Sequence, residues 1–183
     1  FDMTWVEKIG LVKFDFLARI EAVCPKSVLE VGCGSGTLSI DMGRRAERVV
    51  AVDNDDAVLE SARQANRDLS GKVVFLKADA FSLPFADKEF DAAFSQGVLE
   101  HFSDEDIRRM IKEQLRVAKN VFFSVPNRFY NHRDFGNERL LSRREWEKML
   151  EGFDIFMSED YHRGRAKRNF LFKLPIMYMA GIR

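Results

Sequence analysis

Ser27-Val28-Leu29-Glu30-Val31-Gly32-Cys33-Gly34-Ser35-Gly36-Thr37 reads as a buried strand over 28–31 that breaks into three alternate glycines and then opens a helix. Glycine lets a backbone turn sharply and lets a ligand touch the main chain, because no Cβ stands in the way. A helix beginning there aims its unpaired N–H groups and positive dipole end above the strand. Thr37 stands where a dinucleotide fingerprint carries its third glycine, which argues against a nicotinamide-dependent oxidoreductase.

The next three segments repeat the pattern of a strand closed by polar residues. Arg48-Val49-Val50-Ala51-Val52-Asp53 is an apolar strand closed by a carboxylate about 20 residues after the first glycine, the spacing at which a βαβ unit bonds a ribose hydroxyl. Residues 73–77 make a third strand that ends in Ala78-Asp79-Ala80. Residues 90–94 make a fourth, which leads into Ser95-Gln96-Gly97-Val98-Leu99-Glu100-His101.

With these four elements in order, the chain resembles the class I S-adenosylmethionine-dependent methyltransferases. The resemblance rests on EVGCGSG at 30–36, Asp53, Ala78-Asp79-Ala80 and FDAAFSQGVLEHF at 90–102. It covers residues 26–127 firmly and the remainder loosely. It implies a Rossmann-like, doubly wound, mainly parallel seven-stranded sheet with an antiparallel edge and helices on both faces. It also implies S-adenosylmethionine as cofactor and says little about the methyl acceptor.

Composition agrees with one domain over 1–183. A chain of 183 residues, 46% of them hydrophobic, can bury a proper core and is too short for two ordinary α/β domains. A formal net charge of +0 supplies no overall field towards nucleic acid or a membrane. Cys24 and Cys33 are too few for a disulfide framework or a zinc cluster, and a reducing, cytoplasmic compartment is expected. No apolar run approaches the roughly 20 residues that span a bilayer. No basic-then-apolar leader is read at the start, although the chain begins at Phe1. No trio of His, Cys and carboxylate has metal-ligand spacing, so no metal is expected.

Alternating helices and strands imply a mainly parallel sheet covered on both faces. A helix is expected over 3–22, where Trp5, Ile9, Val12, Phe16, Leu17 and Ile20 recur near the helical period, with Pro25 ending this N-terminal segment, 1–25. The cofactor-binding core, 26–127, carries a short helix to about Arg45, one over 55–69 capped at Asn54/Asp55, one opened by Ser103 and reaching Val117, and a strand over 120–125. In 128–183, Ser142-Arg143-Arg144-Glu145 has capping-box spacing and starts a helix through Leu150. Strands over 153–159 and 170–180 close the sheet, as the antiparallel pair that the resemblance implies.

The resemblance also assigns roles. Glu30, Gly32, Cys33, Gly34 and Gly36 belong to the turn that holds the methionine part of the cofactor. Asp53 accepts from both ribose hydroxyls, with Asn54 beside it. Asp79 accepts from the adenine amino group, the Ala80 N–H faces the ring, and Phe81 either packs on adenine or fills the core. Ser95 and Gln96 stand where the cofactor's amino group is met. His101 is the candidate base, since imidazole titrates near neutral pH and methyl transfer often needs a deprotonated nucleophile.

The acceptor is read from the remaining segments. The fourth strand ends in Ser95-Gln96-Gly97-Val98 and lacks the Asn/Asp-Pro-Pro-aromatic element with which amino-methylating nucleic-acid enzymes of the family grip a base. A small-molecule acceptor is therefore expected, and nothing fixes the oligomeric state. The aromatic and polar stretch at 127–132, with His132, and the basic stretch with Arg163 and Arg165 suit an acceptor with an anionic group. The alternative class is a cofactor-binding module without catalysis.

Overall fold

The strand that opens the glycine turn lies in the middle of the sheet. In the computed structural model, which describes residues 14–69, 71–130, 136–161 and 175–183, β1 (Ser27–Val31) runs parallel between β2 (Arg48–Asp53) and β4 (Phe90–Gln96). Outside them, β3 (Val74–Lys77) pairs with β2, and β5 (Ala118–Pro126) with β4, again parallel. Beyond β5, β7 (Met177–Ile182) runs antiparallel between β5 and β6 (Ile155–Tyr161). The order is β3-β2-β1-β4-β5-β7-β6, the mainly parallel seven-stranded sheet with an antiparallel edge that was expected.

Side chains on a strand alternate between faces, and each face has its own cover. Ala92 and Phe94 of β4 join one core with Phe16, Leu17 and Ile20 of α1 (Phe14–Glu21), Leu38 of α2 (Thr37–Met42) and Leu59 of α3 (Asp56–Asp68). Ala93 turns the other way, to the face covered by α4 (Asp104–Val117) and, beyond β5, by α5 (Arg143–Met149). Covered on both faces, β1 buries residues 28–31 completely or nearly so, which is why its sequence does not alternate. Phe16 meets Phe94 edge to face at 6.1 Å, anchoring α1.

The caps form where short polar side chains precede the helices. Asp55 accepts from the backbone N–H of Ala57 and Val58, Ser103 from that of Asp106, and Ser142 and Glu145 complete a reciprocal capping box. Some boundaries differ from expectation. The helix after the glycine turn ends at Met42, and Arg44 and Arg45 continue it only as tight turns bonded to Asp41 and Met42 carbonyls. The last strand starts at Met177; Pro175 has no N–H to offer a ladder and lies outside it. Of the expected helix over 3–22, residues 3–13 lie outside the described residues, as do 170–174 of the expected strand over 170–180.

At the amino ends of the strands, Asp91 ties β1 to β4 and β5. Its carboxylate accepts from the N–H of Lys26 and of Ser27, from Ser27 Oγ and from Lys119 Nζ. The Lys119 ammonium first, then the Ser27 N–H, hold the Asp91 carboxyl well below the usual carboxylate range. A carboxyl depressed in the folded state adds stability that is present above the unfolded value, about pH 4, and is lost as pH falls through the folded one. Asp91→Ala should therefore cost about 1.5 kcal/mol at neutral pH, at the low end for charged hydrogen bonds because water can reach these partners. Urea denaturation at pH 7 and pH 3 checks it, the difference between variant and wild type shrinking at the lower pH.

Candidate functional site

Four parallel strands end on one side in loops that part to form a cleft of about 860 Å³. That volume lies in the range of small-ligand and cofactor sites, and the cleft sits where open α/β sheets place ligands. Its floor is the glycine turn. The N–H groups of Gly32 and Cys33 both donate to the Val52 carbonyl, fastening the turn to β2. Gly34 has φ +51, and a Cβ there would meet nothing within 4 Å, so its backbone faces open space. Its N–H donates to Asp53 Oδ2 at 3.1 Å, while Asp53 Oδ1 accepts from the Asp55 N–H. The acid at the end of β2 thus shapes the turn and also lines the cleft beside Asn54.

Two expected residues do not line the cleft. Gly36 is a packing glycine: with φ +70, its absent side chain would lie 2.8 Å from the Phe75 ring and 3.0 Å from Ala62 Cβ. Ser95 is fully buried and lies on the opposite face of β4 from Gln96, because consecutive strand residues point opposite ways. Gln96 does line the cleft.

Glu30 and Cys33 line it with restricted chemistry. The Glu30 carboxylate accepts from the N–H and the hydroxyl of Ser39 in α2, which braces the helix against the strand. Burial, reinforced by the negative charges of Glu30 and Asp53, pushes the Cys33 thiol far up, so it stays protonated at physiological pH.

Further along, Asp79 Oδ1 accepts from the Phe81 N–H, an Asx turn that aims Ala80 and Phe81 at the cleft. Phe81 packs edge to face on Phe102 at 5.8 Å, with the Arg109 guanidinium 4.8 Å from its ring. The far end is formed by a short 3-10 turn, Leu99–His101, and by Asn137. His101 Nδ1 lies 2.8 Å from Asn137 Oδ1; an amide oxygen only accepts, so Nδ1 carries a hydrogen, and in the neutral ring Nε2 is then the basic nitrogen. Nε2 is 3.9 Å from Glu100 Oε1.

Asn137 gave no signal in the sequence. It reaches the cleft because the Arg139 N–H donates to the Glu100 carbonyl and its guanidinium to the Phe102 carbonyl, docking segment 136–141 on the turn. His132, Arg163 and Arg165 lie outside the described residues. Among the described residues no group of three His, Cys, Asp or Glu is placed to hold a metal, and no helix is long and apolar enough to cross a membrane.

This arrangement of parallel strands, glycine turn and successive acids defines a Rossmann-like methyltransferase domain. A methyltransferase-domain family model matches residues 28–120. The ubiquinone biosynthesis O-methyltransferase of Hahella chejuensis is 32% identical over 164 residues, covering 82% of this chain and 67% of that protein. The demethylmenaquinone methyltransferase of Thermobifida fusca is 36% identical over 104 residues, covering 56% of this chain and 43% of its own. The chain spans 67% of the length of the Hahella protein and 22% of that of a phosphoethanolamine N-methyltransferase of Triticum aestivum, to which it is 30% identical over 107 residues. A SAM-dependent methyltransferase structure from Aquifex aeolicus superposes with a TM-score of 0.71 at 19% identity, covering 100% of this chain and 98% of that one. The chain belongs to the S-adenosylmethionine-dependent methyltransferase family.

The family's cofactor, S-adenosylmethionine, fits the residues present. A carboxylate that can accept from paired hydroxyls stands at the end of β2, a second acid stands in the loop after β3, and the open backbone at Gly34 leaves the cradle clear.

Proposed function

We propose that this chain transfers a methyl group from S-adenosylmethionine to a small-molecule acceptor bound at the His101 end of the cleft. One observation carries the reading: the cleft does not stop at the cofactor-type acids but continues to His101 and Asn137. The names of relatives at 32% and 36% identity, methyltransferases of quinone biosynthesis, favour a flat phenolic or quinol acceptor.

When bound, the cofactor supplies an activated methyl group on a positively charged sulfonium. The chain's own work is then alignment, exclusion of water and removal of a proton. Asp53 orients the ribose and the Gly34 backbone admits the methionine part. Phe81 and Phe102 wall off water. The Nε2 lone pair of His101, oriented by Asn137, takes the proton from an acceptor hydroxyl, and Glu100 Oε1 stands within reach of the imidazolium that results.

Release of S-adenosylhomocysteine, followed with a panel of catechols, hydroquinones and carboxylic acids, tests the reading. Turnover of a phenolic compound supports it. Cofactor binding without turnover of any compound in the panel would move the chain to a non-catalytic cofactor-binding module. His101→Ala is expected to slow turnover while cofactor affinity stays within about twofold. Equal turnover removes His101 from proton transfer.

A further inference from the structure

The side chain that closes the cleft at the end of β4 is held from behind. Gln96 Nε2 donates to Tyr161 Oη at 3.5 Å, and the same hydroxyl lies 2.5 Å from Ser124 Oγ. The three residues come from three strands: Gln96 pairs in register with Ser124 of β5, and Tyr161 ends β6, paired with Met177 of β7. Ser124 is fully buried and Tyr161 nearly so, in the core that also holds Phe122, Met177 and Met179. Polar groups in such a layer are costly unless they bond to one another, and once bonded they fix each other's orientation.

Neither Tyr161 nor Ser124 lines the cleft, whereas Gln96 does. With its amide nitrogen turned to Tyr161, the Gln96 carboxamide oxygen makes no hydrogen bond among the described residues, and Gln96 itself lines the cleft. The order of the strand ends shows which part of a ligand it can meet. Asp79 follows β3 by two residues, Asp53 ends β2, the glycine turn comes after β1, and Gln96 ends β4. In the cofactor the adenine is joined to the ribose, and the ribose to the sulfonium and the methionine chain. Adenine at β3 and ribose at β2 bring the sulfonium towards β1 and β4.

We propose that Tyr161 and Ser124 are positioning residues that hold the Gln96 carboxamide with its oxygen towards the sulfonium, so that the site favours S-adenosylmethionine over S-adenosylhomocysteine. A carbonyl oxygen is the negative end of a dipole and attracts a sulfonium; the thioether left after transfer carries no charge and loses that attraction. The discrimination eases product release, and it rests on the cleft being the site of S-adenosylmethionine.

Calorimetric titration of the whole chain with each of the two cofactor forms tests it. Tyr161→Phe and Gln96→Leu should each lower the ratio of S-adenosylmethionine to S-adenosylhomocysteine affinity by about three- to tenfold, the effect of one hydrogen-bond-sized contact. S-adenosylhomocysteine affinity should stay within about twofold. An unchanged ratio, or an equal loss for both ligands, overturns the proposal and leaves Tyr161 as packing. If Tyr161→Phe fails to fold by circular dichroism, Gln96→Leu decides alone, since its side chain faces the cleft. Failure of the wild type to bind either ligand is a separate result, and it overturns the cofactor site together with this proposal.

Discussion

Asp53→Ala is expected to weaken S-adenosylmethionine binding by about 1.5–3 kcal/mol, the range for hydrogen bonds to a charged group. Two separate losses add up there. The carboxylate can accept from both ribose hydroxyls, and it already accepts from the Gly34 and Asp55 N–H groups, which sets the turn before any ligand arrives. Removing it frees the Gly34 N–H, so some binding energy must go into ordering the turn. The fold should survive, because Asp53 is only half-buried and ends its strand. Calorimetry gives the affinity and a thermal melt the control. An unchanged dissociation constant would mean that the ribose is held elsewhere.

Gly36→Ala acts on the fold. The new Cβ would stand 2.8 Å from the Phe75 ring and 3.0 Å from Ala62, where β3 and α3 press against the start of α2. The ring and the helix must shift, which costs about 1–3 kcal/mol for an overpacked core. The left-handed backbone at φ +70 adds about 1–2 kcal/mol for a residue with a Cβ. A total loss of about 2–5 kcal/mol is expected, read from the urea midpoint with the slope unchanged. A loss below about 1 kcal/mol would show that Phe75 relaxes freely. Gly34 makes the contrast, since a Cβ there meets nothing within 4 Å and projects into open space instead of the core.

The glycine turn and the acids that line one end of the cleft were legible because their signals are local. A glycine-rich turn, an acid closing β2 and an acid after β3 are short words in the sequence, and a parallel sheet brings them to one edge whatever the details of packing. The residues that do not line the cleft were placed by what surrounds them. Gly36 reads like Gly34 until the neighbours of its missing side chain are known. Ser95 and Gln96 read alike until the pleat of β4 sends one into the core and the other to the cleft.

Other features carry no local signal at all. Arg116, near the end of α4, donates to the Leu83 and Phe85 carbonyls and pairs with Asp87 and Glu113, pinning the helix-free connection between β3 and β4. Asn137 meets His101 only because Arg139 docks on the turn before α4. Tyr161, Ser124 and Gln96 come together across three strands.

By itself, then, the sequence determined the alternation of strands and helices, the glycine turn and the acids that come after it. Apolar periodicity, capping residues and glycine spacing act over a few residues and are written in order along the chain. Only the tertiary structure decided which face each strand-end residue takes, which glycine is packed and which lines the cleft, and what stands behind His101 and Gln96. The last two depend on contacts between residues 26 to 65 positions apart, which no short stretch of chain encodes.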